Sequence, residues 1–238
     1  AIRVNSELFS GRVPARSFLV RGIKVQVPSN YFPETRLYNR NVTTGAAVVD
    51  GFGNPVAQSW DGLFYTEWSD NPAWVLYDLL TNARYGLGEF IDAATQVDTF
   101  ALYDIAVYCD ELVDNGLGNG LLEPRYSYNG VINTREDAFD VINAITSTFR
   151  GMSYWSAGGV TAVADAPKDP RRLVTRANAV GGRFTYSGTA LRAQHSAALV
   201  SYNDPVQNYK LTIEVIEDAA RREQFGWREL EVVAFATT

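Results

Sequence analysis

The sequence predicts an α+β fold with a β-rich opening, a helical middle packed on a hairpin, and a β-rich close. Three observations carry this. Between residues 70 and 151 apolar side chains recur at helical spacing in three blocks. Around 17–27 and 209–216 they alternate instead, the period of a strand with one dry face. Clusters of glycine, proline and asparagine separate these blocks. The 238 residues divide accordingly into 1–69, 70–170 and 171–238. With 46% hydrophobic and 20% charged residues the composition is that of a globular protein. A chain this long buries roughly 70–75% of its unfolded surface, enough to fold without disulfides or metal.

From Ser17 to Val27, Leu19, Ile23, Val25 and Val27 fall on one face, with Arg21 interrupting, and Pro28 ends the strand by removing a donor. From Ser29 to Asn71 turns and aromatics dominate, so short strands and long loops are expected. Asp70-Asn-Pro72 starts a helix whose apolar face is Val75, Leu76, Leu79, Leu80 and Ala83, and Gly86 and Gly88 stop it. A second helix spans Asp98 to Val113. Leu102, Ile105, Ala106, Cys109, Leu112 and Val113 form its stripe, with Asp104, Asp110 and Glu111 off it. A third opens at Thr134, with Asp137 three residues on, buries Ala138, Val141, Ile142, Ile145 and Phe149, and closes at Gly151. The sheet that follows is the expected partner of all three stripes.

Met152–Trp155 and Val160–Ala164 flank Ala157-Gly-Gly159, a hairpin signal, and Pro167 and Pro170 mark a connector. Arg183–Ser187, Ala197–Tyr202 and Tyr209–Ile216 read as strands, with a turn at Asn203-Asp-Pro205. In Lys210–Val215 the alternation predicts one wet face. Glu217–Phe225 reads as a short charged helix stopped by Gly226, and Arg228–Ala236 as a last strand. The start at Ala1 without methionine, and the close directly off an apolar run, suggest a piece excised from a longer protein.

The chemistry-bearing residues do not assemble into a catalytic pattern. The net charge of −6 disfavours general nucleic-acid binding, and the cationic run Lys168–Arg176 reads as a solvated loop. The lone cysteine, Cys109, allows no internal disulfide and reads as a buried thiol. No apolar run reaches the length of a membrane helix. His195 and Ser196 are neighbours, which on a strand face opposite ways, so no triad forms from them and His195 is expected to bond to backbone. One histidine and one cysteine do not make a zinc site, and no EF-hand loop occurs, so no cofactor is expected. Asp110-Glu111 and Glu217-Asp218 read as solvated pairs rather than glycosidase carboxylates. Gly116–Gly120 follows a helix and precedes Pro124, and so reads as a helix stop and turn, not a phosphate cradle.

A colinear series of motifs is more specific. It runs through Arg21-Gly-Ile-Lys-Val-Gln-Val-Pro-Ser-Asn-Tyr31, Pro33-Glu-Thr-Arg36 with Tyr38, Asn71-Pro-Ala-Trp74, Tyr77-Asp-Leu-Leu-Thr81 and Arg84-Tyr-Gly-Leu-Gly88. It continues through Ala101-Leu-Tyr103, Tyr108-Cys-Asp110, Glu123-Pro-Arg125, Phe149-Arg-Gly-Met152, Asp165-Ala-Pro-Lys-Asp-Pro170, Phe184-Thr-Tyr-Ser187 and Glu217-Asp218. Over roughly residues 18 to 235 this resembles the tip attachment (host-specificity) proteins of lambda-like long-tailed bacteriophages, in their central hub region. The stretch Asn39–Ser59 is longer than in that family, and the family continues beyond the residue equivalent to Ala236 into further hub and fibre-like domains.

The resemblance implies β-rich, baseplate-hub-like tail domains around a helical α/β middle. It implies a structural virion protein, not an enzyme, with no catalytic residues and no cofactor. It further implies a homotrimeric ring that closes the tail tube at the tail tip, assembled in the host cytoplasm with other tail-tip proteins. Host receptors would be contacted by parts outside this chain, and neither nucleic-acid sequence recognition nor a membrane segment is implied. Trp60, Phe64, Tyr65 and Trp68, in a stretch that lacks a core periodicity, are the candidate interface residues, the alternative being that they cover the chain's own sheet. A tail-associated peptidoglycan hydrolase and a carbohydrate-binding module are the alternatives.

Overall fold

The computed structural model describes residues 18–116, 118–132, 137–156, 158–204 and 207–233. Ser17, Thr134, Ala157, Pro205 and the last residues of the expected final strand lie outside them. The architecture is α+β. Among the described residues there are three two-stranded antiparallel sheets and one three-stranded sheet, and none closes into a barrel.

β1 (Val25–Pro28) pairs antiparallel with β2 (Phe64–Glu67), Val25 facing Glu67 and Pro28 facing Phe64. Val25 and Val27 point into the core with Tyr31. The expected strand from Ser17 is shorter than its alternation suggests. Phe18, Leu19, Val20 and Ile23 are exposed and have no partner strand, and a ladder needs one. Short bridges at Phe32–Leu37, Arg40–Ala47 and Val49–Pro55 fold the loop between β1 and β2, in line with the expected short strands.

α1 (Pro72–Thr81) starts as its sequence dictates. Asn71 accepts from the Ala73 amide at 3.0 Å and Pro72 occupies the first turn. Its buried face is broader than the stripe: Ala73, Trp74, Leu76, Tyr77 and Leu80 are buried, whereas Val75 and Leu79 are only half-buried and Ala83 is exposed. The helix is enclosed from several sides, by β1, α3 and α4. The chain after it folds back on the helix end, and a Cβ at Gly86 would collide with the Leu79 carbonyl, which is why a glycine sits there.

A single turn, α2 (Ala93–Gln96), precedes α3 (Thr99–Asp110), which Asp98 caps by accepting from the Ala101 amide. Leu102, Ile105, Ala106 and Cys109 are buried as expected. The helix stops three residues early, because Leu112 and Val113 belong to β3 (Leu112–Asp114), paired with β4 (Leu122–Pro124). The Cys109 and Glu111 carbonyls accept from the Tyr126 and Arg125 amides instead of continuing the helix, so Leu112 is exposed. Gly116 and Gly118–Gly120 therefore lie in the β3–β4 connection, where the expected turn is present but the helix stop is not.

α4 (Ala138–Thr148) is capped by Asp137, which accepts from the Phe139 amide at 2.9 Å. Val141, Ile142, Ile145 and Phe149 are buried, and Ala138 is exposed. β5 (Gly151–Ser156) and β6 (Gly159–Ala164) form the expected hairpin in unbroken register. It packs on α4 through β5 and on α3 through β6, and so supplies part of the partner surface.

From 165 to 196 the described chain has only two short 3₁₀ turns, at Val180–Gly182 and Leu191–Ala193. The expected strand Arg183–Ser187 does not form. β7 (Ala197–Asp204) is the centre of the last sheet, antiparallel to β8 (Lys210–Glu217) and parallel to β9 (Glu229–Val233). Asn203 and Asp204, expected in a turn, still pair with Leu211 and Lys210. α5 (Ala219–Phe225) joins β8 to β9 and ends at Gly226, whose φ of 74° favours glycine. The predicted dry face of β8 is not dry: Leu211, Ile213 and Val215 are exposed on one side, and Ile216 on the other. No helix is long and apolar enough to cross a membrane among the described residues.

Candidate assembly surface

The four aromatics expected at an interface split into two groups. Trp60 lies flat on Tyr103, centroids 5.1 Å apart and planes 7° apart, and meets Phe64, Trp74 and Phe100 at their edges or tilted. Its indole donates to the Leu63 carbonyl at 2.7 Å. Phe64 stacks on Tyr77 at 4.4 Å. Because side chains alternate along β2, Tyr65 points away from this cluster. Its hydroxyl donates to the Tyr31 carbonyl at 2.7 Å, and Arg40 lies over its ring. Trp68 carries Arg21 over its ring and lines an open groove of about 1250 Å³. Ile23, Leu79, Val141 and Ile142 also line that groove. All four aromatics are half-buried, each packing one side on its own chain and leaving the rest in solvent.

Beneath this surface lies a group that periodicity missed. Arg36 forks onto both oxygens of Asp70 at 2.7 Å and reaches Asp110 at 2.9 Å. The other Asp110 oxygen accepts from the Tyr38 hydroxyl at 2.9 Å. Asp110 is not solvated as its place off the stripe suggested. Its side chain is only 2% exposed and that of Arg36 only 16%. Burial raises the Asp110 carboxyl above its ordinary range, and the Arg36 charge pulls it back only in part. Burial, then the Asp110 charge, raises the phenols of Tyr31 and Tyr38 well above theirs. Arg36 itself has φ 57°, a left-handed conformation costly for a side chain, held in place by the two carboxylates. The cluster pins the 29–40 loop to the start of α1 and the end of α3. One available signal was that Arg36, Tyr38 and Asp110 all sit within the family-like motifs.

Polar links of the same kind tie the neighbouring segments together. Asn71 donates to the Ala106 carbonyl at 2.9 Å, joining α1 to α3. Asn30 donates to the Gln58 carbonyl and to the Tyr103 hydroxyl. Such buried bonds fix where the surface aromatics stand.

The other chemistry-bearing residues stand apart. Glu111 pairs with Arg125 at 2.7 Å, on a different side from Asp110. Glu217 and Asp218 pair with Arg222 and Arg221. His195, just before β7, has its Nδ1 3.2 Å from the Glu229 carbonyl, in line with the expected backbone partner. The Lys168–Arg176 run is exposed. Among the described residues no three His, Cys, Asp or Glu are grouped to hold a metal ion. Cys109 is buried, and burial with the Asp110 charge raises its thiol far above the ordinary range. Native protein should therefore resist a thiol reagent that titrates one equivalent in denaturant. Rapid native labelling would show that α3 opens.

Residues 137–238 match a family model described as "Putative phage tail protein". Over 237 residues, 100% of the chain, the sequence is 35% identical to "Tip attachment protein J" of Escherichia phage SECphi27 and spans 18% of it. Over 198 residues, 83% of the chain, it is 32% identical to the protein of the same name from Escherichia phage SECphi4 and spans 16% of that. The chain thus spans less than a fifth of the length of these curated relatives.

Proposed function

The chain is a homologue of a segment of the tip attachment proteins of lambda-like phages, and on that premise we propose that it builds the hub that closes the tail tube and links it to the host-adhesion parts. Its role is structural. It works as a homotrimeric ring at the virion tail tip, assembled in the host cytoplasm, with receptor contacts made by other parts of the protein. The β-rich segments 1–69 and 171–238 are the baseplate-hub-like parts that meet neighbours, around the helical 70–170.

The observation that carries the assembly reading is the bare three-stranded sheet. Leu211, Ile213 and Val215 are exposed on one face, and Ile216, Leu230 and Val232 on the other. Monomers rarely expose large contiguous apolar patches, so such a sheet calls for covering in the assembled particle. Trp60, Phe64, Tyr65 and Trp68 add half-buried aromatics of the kind that anchor interfaces.

In-frame deletion of the segment encoding β7–β9 from the parent phage should leave particles without a closed tip. Infectious phage with normal tails would overturn the reading. Against the hydrolase alternative, purified chain should release no dye from labelled peptidoglycan. Release abolished by one Asp or Glu substitution would contradict a purely structural role.

A further inference from the structure

We propose that residues 183–187 of one copy add as a strand to the free edge of β9 in a second copy. This rests on the ring reading above and names the contact that joins its subunits. Three observations meet here.

The first is a strand-like sequence with no partner. Arg183-Phe-Thr-Tyr-Ser187 alternates polar and aromatic residues, yet its backbone makes no hydrogen bond among the described residues. Phe184 is 44% and Tyr186 89% exposed. The second is a free edge of matching length. β9 ends the strand order β8-β7-β9, so among the described residues its outer row of amides and carbonyls has no partner strand, with only the Glu229 carbonyl reached, by His195 Nδ1 at 3.2 Å. β9 is five residues long, as is the segment.

The third is complementarity, in pattern and in charge. Along β9, Glu229 and Glu231 face one side and Leu230 and Val232 the other. In a parallel register Arg183 meets Glu229, Phe184 meets Leu230, Thr185 meets Glu231 and Tyr186 meets Val232. Opposite charges and aromatic–aliphatic pairs are the favourable cross-strand combinations. The wider charges agree: residues 166–190 hold five cationic residues against one acidic, in a chain of net charge −6. Neither Arg183, Glu229 nor Glu231 has an ion-pair partner among the described residues. Joining one patch to a different patch of the next copy is a head-to-tail contact, the kind that closes a ring when the rotation between copies fits.

A synthetic peptide of residues 181–189 provides the test. Titrated into the purified chain, it should slow hydrogen exchange at 229–233 by roughly tenfold or more. The same peptide with Thr185→Pro should not, since proline removes a ladder donor. An Arg183→Glu peptide should bind more weakly and regain affinity on a Glu229→Arg chain. The intact chain should grow in light-scattering mass with concentration, and the Thr185→Pro chain, folded with an unchanged melting temperature, should stay monomeric. Absence of protection by the peptide would overturn the proposal. So would protection of 229–233 in dilute monomer that Thr185→Pro abolishes, because the pairing would then lie within one chain. The peptide result is independent of virion assembly, so failure of this contact and failure of the hub reading are distinguishable.

Discussion

Asp110→Ala should cost about 3–5 kcal/mol of folding stability, because it strips one partner from a buried ion pair. The Arg36 guanidinium, 16% exposed, would keep Asp70 but lose the carboxylate 2.9 Å from its Nη1. The Tyr38 hydroxyl would lose its acceptor at the same time. For a chain of this size the loss should appear as a fall of about 2–4 °C in Tm per kcal/mol. Replacing all three charges together, Arg36→Met with Asp70→Asn and Asp110→Leu, should recover part of the loss, since the Asp70 carboxylate that Arg36 also holds is then not left unpaired. The contrast between the single and triple variants separates a buried ion cluster from mere packing. An Asp110→Ala chain that melts with the native protein would show that the cluster holds nothing together.

Trp74→Ala should be as damaging, at about 3–5 kcal/mol. Trp74 is fully buried in α1 and touches Trp60, Phe64 and Tyr103. Its removal empties the centre of the aromatic cluster, and helices on either side cannot close the space without breaking their own register. Trp60→Ala, by contrast, should cost the isolated chain much less, since Trp60 is half-buried and caps the cluster from outside. In an assembled tip the order should narrow, because Trp60 then stands to lose neighbours from another subunit. Equal losses for both variants in the isolated chain would place Trp60 in the core and remove it from the surface.

Local patterns were the legible part of this fold. The buried stripes Leu102–Ile105–Cys109 and Val141–Ile142–Ile145 follow from 3.6-residue periodicity, and Gly158 marks the β5–β6 turn because it takes a φ of 85°. What escaped was nonlocal. Arg36 and Asp110 are 74 residues apart, and no spacing rule links them. Asp110 sits on the flank of the α3 stripe, where a polar side chain is buried only if a partner arrives from elsewhere. The end of α3 is illegible for the same reason. Leu112 and Val113 continue the helical stripe in sequence, but the β4 segment takes over their hydrogen bonding. Residues 18–24 and 183–187 show the same effect in reverse. Each alternates like a strand, and a strand forms only where another edge meets it. The aromatics were legible as a group but not as two groups, since only the pairing of β1 with β2 decides that Phe64 and Tyr65 face opposite sides.

An electron cryomicroscopy reconstruction of the intact tail tip of the parent phage will decide whether the chain forms part of a tail-tip hub. The map should show three copies of this fold around the tube axis, with the faces of the β8-β7-β9 sheet covered by neighbouring density. A tip with no density for this fold, or a single copy hanging free with its sheet in solvent, would contradict the hub reading.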